Sequence, residues 1–260
     1  MQSVALPHSI EMLADLFSRH ERVALMYSGG KDSLACLHLC REYLDRLCVV
    51  WVNTGANFPE ITESVLELRS RVPNFLEVQS DQPKSILRNG YPTDVLPMQY
   101  TQMGQAHTAP KGIMLRSYME CCNENVWAPA AEAIAKLGFT AVIRGQRNDE
   151  EHRAPIQSGF VENGVEYVLP IESWSRLQVL EYLESVGVDT NNRLSMEHSS
   201  LDCWDCTAYC GGSQERLKYI KTNHPEKHTK VVALLKQIDN AVTEQMSGLR
   251  ALLSEENHGL

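Results

Sequence analysis

The sequence has no apolar run approaching the roughly 20 residues that a membrane-spanning helix requires, which excludes a segment of that kind. Its first residues, MQSVALPHSIEMLADLF, lack a basic start followed by a continuous apolar core, so no secretion signal is read there. Net positive charge is also missing. The formal charge is -9, which argues against a general nucleic-acid surface and leaves only a local basic groove for such a ligand. Internal repeats and low-complexity tracts are absent.

What remains is ordinary for a soluble globular enzyme: 260 residues, 43% hydrophobic and 22% charged. That length allows one large domain, or one domain with a small appendage. Eight cysteines without a signal peptide point to a reducing, cytoplasmic setting, with thiols kept for chemistry or metal. Cys36, Cys40 and Cys48 fall on apolar faces and read as core fillers. Cys121 and Cys122 are adjacent, and Cys203, Cys206 and Cys210 form a tight cluster.

Strand-like and helix-like segments alternate along the chain. SIEMLADLF has helical spacing, with Ser9 as a candidate N-cap. RVALMY, LCVVWV and FLEVQS read as buried strands, and KDSLACLHLCREYLDRL and PEITESVLELRSRV as the helices between them. Residues 81–117 hold four prolines and three glycines and read as a long loop with short helical pieces. Order resumes with the helix ENVWAPAAEAIAKLG, the strands FTAVIRG and EYVLPI and the helix SRLQVLEYLESVG. Residues 188–212 are irregular, and a long helix ends the chain. The pattern predicts an α/β protein with a doubly wound parallel sheet, divided as 1–213 and a helical tail over 214–260. The tail is expected to pack on the domain or on a second copy in a homo-oligomer.

The stretch SGGKDS, Ser28 to Ser33, sits between a strand and a helix. Gly29 and Gly30 let the backbone turn sharply and approach a ligand. The helix aims its N–H groups and positive dipole end into the turn. Lys31 adds a full charge, and Ser28 and Ser33 add hydroxyls. Together these make a pocket for phosphate or pyrophosphate. The six residues resemble the pyrophosphate loop of the PP-loop ATP pyrophosphatases, also called adenine nucleotide alpha hydrolases. The resemblance implies ATP cleavage between the α and β phosphates and transfer of AMP to an acceptor.

Two further segments resemble the phosphoadenylyl-sulfate reductase family within that group. VNTGANFPEIT, Val52 to Thr62, is similar to its D-T-G-x-x-F-P-E-T element, with Asn53 in place of Asp. Asn53, Thr54 and Gly55 are thereby expected to face the nucleoside. IRGQRNDEEHRAPI, Ile143 to Ile156, resembles the family's G-x-R loop, so Gly145, Arg147 and Arg153 are expected to hold phosphate or sulfate. YVLPIESW extends the likeness, which covers roughly residues 20 to 210.

Cys121-Cys122 and Cys203-Trp-Asp-Cys206 suggest four thiolates on one centre, and sulfur ligation of this kind fits zinc or iron–sulfur. The pattern resembles the Cys-Cys…Cys-x-x-Cys arrangement of [4Fe-4S] adenylyl-sulfate reductases, which implies such a cluster here. Cys210 stands beside it as a substitute ligand, a sulfur carrier or a packed thiol.

The likeness breaks in two places. The reductases attack sulfur with a cysteine in a late E-C-G-x-H run, and no cysteine follows Cys210. They also place basic residues after the paired cysteines, where this chain has Asn123-Glu124-Asn125, so positive charge is expected to be missing there. The phosphate loop, degenerate in the reductases, is complete. By analogy with sulfur-transfer systems such as DNA phosphorothioation, the expected reaction is ATP cleavage with Mg²⁺ to activate an acceptor for sulfur. Lys31 neutralises charge on the pyrophosphate, Asp32 caps the helix or helps hold Mg²⁺, and Arg147 grips acceptor or phosphate. The expected partners are the nucleotide and a sulfur-donor or reductant protein. Sulfonucleotide reduction and a non-catalytic nucleotide- and cluster-binding role are the competing readings.

Overall fold

A computed structural model describes residues 5–107, 112–150, 153–190, 194, 202–209 and 214–256. In chain order these form α1 (Ala5–Arg19), β1 (Val23–Met26), α2 (Lys31–Leu39), β2 (Leu47–Asn53), α3 (Pro59–Arg69), β3 (Phe75–Gln79) and α4 (Gln82–Asn89). There follow β4 (Tyr91–Thr93), α5 (Gln102–His107), β5 (Leu115–Ser117), α6 (Tyr118–Cys122), a π-helical turn over Asn123–Trp127, and α7 (Ala128–Leu137). The last elements are β6 (Ala141–Ile143), β7 (Phe160–Glu162), β8 (Val165–Val168), α8 (Arg176–Ser185), α9 (Gln214–Asn223) and α10 (Pro225–Glu256). They gather into two compact units.

The first unit lies within Met1–Asn53, Asn57–Gln79 and Pro129–Asp202. Its sheet runs β3-β2-β1-β6-β8-β7, parallel except for the β7–β8 pair. β1 is central, with Val23 opposite Leu47 on one side and Ala141 on the other. Val23, Ala24, Leu25, Val49, Val50 and Val142 are completely buried, because helices cover both faces. This is why the strands read as continuous apolar runs rather than alternating ones. Parallel pairing sends the ends of β1, β2 and β6 out along one edge, where open α/β sheets bind ligands. α3 starts on Pro59 at its first turn, and α8 starts on a reciprocal Ser175–Gln178 capping box.

Two local readings change. Ser9 is not an N-cap: α1 begins at Ala5, and buried Ser9 donates to the Pro170 carbonyl and accepts from Trp174 Nε1 at 3.0 Å. Burial in the second turn turned its hydroxyl to tertiary partners. Strand β7 was missed because all three of its residues are exposed, leaving no apolar pattern to read.

The second unit lies within Thr54–Ala56, Ser80–Ala128 and Cys203–Leu260. The segment read as a loop contains α4, the parallel pair β4–β5 and α5. Tyr100, Ile113 and Leu115 form a core with Ile238 and Ala241 of α10, flanked by Leu234 and Val242. The tail expected over 214–260 is thus two helices, and the second shares a core with the 91–115 stretch. No described helix is long and apolar enough to cross a membrane.

Candidate functional site

β1 ends in a turn fixed by its own serines. Tyr27 N–H still pairs with Val50 O at 2.8 Å, and the chain then leaves the sheet. Ser28 N–H donates to Ser33 Oγ at 3.2 Å, Gly30 N–H donates to Ser28 Oγ at 3.3 Å, and Ser33 Oγ donates back to Gly30 O at 3.0 Å. Gly29 has φ +79°, and a Cβ there would lie 3.2 Å from Ile61 Cγ2. Both the conformation and the crowding select glycine. Lys31 is the first residue of α2, so the loop opens onto N–H groups of the first turn and the positive end of the dipole.

The loop after β6 comes down on this turn. A Cβ on Gly145 would sit 2.6 Å from the Asp32 carbonyl carbon and 2.7 Å from Ser33 N, so only glycine permits the approach. Gln146 closes the loop, donating to Ala154 O at 2.9 Å and accepting from Ala154 N–H at 3.2 Å. Arg147 is thereby buried, at 6% exposure, with Nε 2.9 Å from Asp32 Oδ1 and Nη1 2.8 Å from Asp149 Oδ1. Glu150 Oε1 stands 3.7 Å from Arg147 Nε. Asp32 also meets Lys31 Nζ, at 2.8 Å. Burial, and secondly the Asp32 charge, push the Glu150 carboxyl above its usual range. Lys31, Asp32, Gly145 and Arg147 therefore form one constellation. Arg153 reaches Asn148 instead and lines a surface recess of about 550 Å³ with Pro155, Ile156 and Phe160.

Asn53 ends β2 and donates to Glu77 Oε1 on β3 at 2.8 Å. Thr54 and Gly55 belong to the second unit. There Thr54 Oγ1 lies 3.4 Å from Cys203 Sγ, and Gly55 turns with φ +76°. The Thr-Gly step thus supports the cysteine segment as well as following the strand.

All four paired cysteines lie in the second unit, none of them in a disulfide. Cys121 and Cys122 end α6, and Asn125 Nδ2 lies 3.8 Å from Cys121 Sγ. Tyr209 OH stands 3.9 Å from Cys122 Sγ. The CxxC segment is held by Arg216, which donates to the carbonyls of Cys203, Trp204 and Cys206 at 2.7, 3.1 and 2.8 Å. Gln82 ties Asp205 from α4 at 3.0 Å. Burial raises the Cys121 thiol against the pull of Arg116, and pushes the Cys206 thiol up to about 11 against Arg216. Among the described residues no three His, Cys, Asp or Glu side chains are grouped to hold a single metal ion. Cys210 lies outside the described residues.

The expected loss of positive charge beside the cysteines is corrected here. Buried Arg116, on β5, faces Cys121, and Arg216 backs the CxxC turn. Glu124 does not oppose them as a loose charge. Arg116 Nη1 meets its Oε2 at 2.5 Å, and Arg88 and Asn89 bind it too. Burial works against ionised Glu124, but these bonds outweigh it and hold its carboxyl down at about 2. Arg116 and Arg216 were missed because nothing in their spacing marks them; their role arises only when the unit folds.

Comparison with known proteins bears on the whole arrangement. A model of the phosphoadenosine phosphosulfate reductase domain matches residues 22–209. An uncharacterised protein of Methanocaldococcus jannaschii is 22% identical over 85% of this chain and 49% of its own length. Sulfate adenylyltransferase subunit 2 of Streptomyces lavendulae is 28% identical over 55% of this chain and 39% of its own. The chain thus spans about half or less of the length of these two relatives. An adenosine 5'-phosphosulfate reductase of Bacillus cereus is 23% identical over 71% of this chain and 72% of its own. The crystal structure of a phosphoadenylyl-sulfate reductase from Candida auris, in complex with phosphate, superposes with a TM-score of 0.53. It is 18% identical and matches 75% of this chain and 88% of its own, a likeness of fold.

Proposed function

The chain belongs to the phosphoadenosine phosphosulfate reductase domain family, and from that premise we propose an enzyme that cleaves ATP to AMP and pyrophosphate to activate an acceptor for sulfur transfer. The single observation that carries this reading is the complete Ser28–Ser33 turn, with Lys31 at its mouth and buried Arg147 laid against it. That cup offers backbone donors, two hydroxyls and two cations, a set suited to a pyrophosphate tail.

In this reading Ser28, Gly29, Gly30 and Ser33 cradle the β and γ phosphates. Lys31 and Arg147 neutralise the charge that grows on pyrophosphate as it leaves, an electrostatic contribution that needs no covalent chemistry from the protein. The acceptor oxygen attacks the α phosphorus, the bond to the bridging oxygen breaks, and a sulfur nucleophile later displaces AMP. Mg²⁺ would arrive on the phosphates, because such ions take one or two carboxylates and complete their shell with substrate and water.

Cys121, Cys122, Cys203 and Cys206 would hold a [4Fe-4S] cluster. Four cysteines of one unit outside any disulfide, backed by Arg116 and Arg216 and approached by Asn125, Thr54 and Tyr209, suit a sulfur-ligated anionic group. When bound, the cluster would supply one-electron chemistry.

Sulfonucleotide reduction is the second reading, favoured by the name of the Bacillus relative. Incubating anaerobically purified protein with labelled ATP and, separately, with adenylyl sulfate and a thiol separates the two. Release of pyrophosphate and AMP supports the proposal; release of sulfite overturns it. Iron and sulfide analysis with an absorption spectrum tests the cluster. A visible band bleached by dithionite is expected, and a colourless protein carrying zinc contradicts it.

A further inference from the structure

Asp32 occupies an unusual position between the two cations of the loop. Its two carboxylate oxygens are divided, Oδ2 to Lys31 Nζ at 2.8 Å and Oδ1 to Arg147 Nε at 2.9 Å. Lys31 and Arg147 are mostly withdrawn from water, with 13% and 6% of their side chains exposed. Yet the contact with Arg147 is one of distance rather than alignment: Asp32 Oδ1, Arg147 Nε and Arg147 Nη1 are buried without a hydrogen-bonding partner in line. A buried guanidinium held by unaligned carboxylates is neutralised but not satisfied, and a ligand oxygen placed in line would be the better partner.

We infer that Asp32 is a specificity-determining residue, a resident counter-ion that an entering ligand must displace from Lys31 and Arg147, so that the loop accepts a pyrophosphate group and turns away a single phosphate or sulfate. The inference rests on the reading that phosphates seat in the Ser28–Ser33 turn. Its physical content is a competition. One carboxylate already serves both cations, and Asp149 and Glu150 add further negative charge on Arg147. A ligand with one anionic group replaces at best one of the two contacts while still meeting the carboxylates. A ligand with two linked anionic groups replaces both at once, and the second contact forms at high effective concentration.

The test is equilibrium dialysis of the anaerobically purified full chain with inorganic pyrophosphate and with orthophosphate, each with and without Mg²⁺. The wild type is expected to prefer pyrophosphate. In Asp32→Asn both anions bind more tightly, orthophosphate gains more, and the preference narrows by about tenfold, equivalent to about 1.4 kcal/mol. Asp32→Ser, neutral and favourable near a helix start, carries the same expectation, so the result does not hang on the folding of one variant. Asp32→Glu keeps the wild-type preference. Asp149→Asn removes a half-exposed charge that meets Arg147 alone, and narrows the preference by less than Asp32→Asn does. Tightening of both anions by the same factor in Asp32→Asn, weaker binding of either, or an equal effect of Asp149→Asn would overturn the inference. If labelled ATP binds the wild type while the Asp32 variants leave the preference unaltered, this inference alone fails. If neither ATP nor pyrophosphate binds any of these proteins, the proposed function fails with it.

Discussion

Gly145 shows how far a single residue can govern this site. Any side chain there would press on the backbone of Asp32 and Ser33, with no flexible group to yield. Gly145→Ala is therefore expected to lift the Arg147 loop from the start of α2. Nucleotide affinity should fall by roughly tenfold to a hundredfold, the worth of one charge-assisted contact, with little change in helix content by circular dichroism. Glu124 is the corresponding residue in the second unit. Glu124→Gln leaves buried Arg116 with a neutral partner and should cost about 2 kcal/mol in denaturant unfolding. Because the folded carboxyl is held at about 2, below its ordinary value, its contribution is complete above the ordinary carboxylate range. It is lost as pH falls from that range through about 2. Stability measured across that window should decline more steeply for the wild type than for Glu124→Gln.

At the scale of elements, legibility followed burial and locality. β1, β2 and β6 could be read because both faces are covered, which leaves short apolar runs closed by turn residues. The turn over Ser28 to Ser33 could be read because strand, glycines and helix start are contiguous. β7 could not, since exposed Phe160, Val161 and Glu162 carry no pattern and pair only because β8 lies beside them. Arg116 and the Asp32–Arg147 contact were illegible for a related reason. Each joins residues distant in sequence, and nothing local announces the meeting. The capping box of α8 is a local device and gives a local expectation. Ser175→Ala should lower stability by about 1 kcal/mol in thermal or denaturant melts without altering nucleotide binding.

For the whole molecule, the two units divide the work differently from the order of the chain. The first presents the Ser28 to Ser33 turn, and the second carries the paired cysteines of two distant stretches and has α10 on its core. Ile238 is central to that core, so Ile238→Ala should cost about 3 kcal/mol and loosen the cysteine unit. Faster thiol alkylation at Cys121 and Cys206 in the metal-free protein, read by mass spectrometry, would accompany it. The proposed function depends most on the turn receiving an intact triphosphate. Its most direct test is binding of labelled ATP with Mg²⁺ to anaerobically purified wild type and to Lys31→Ala. Saturable binding that weakens by roughly tenfold to a hundredfold in the variant is the expected result, the scale of one lost charged contact to phosphate. No binding to the wild type, or equal binding to both, would contradict it.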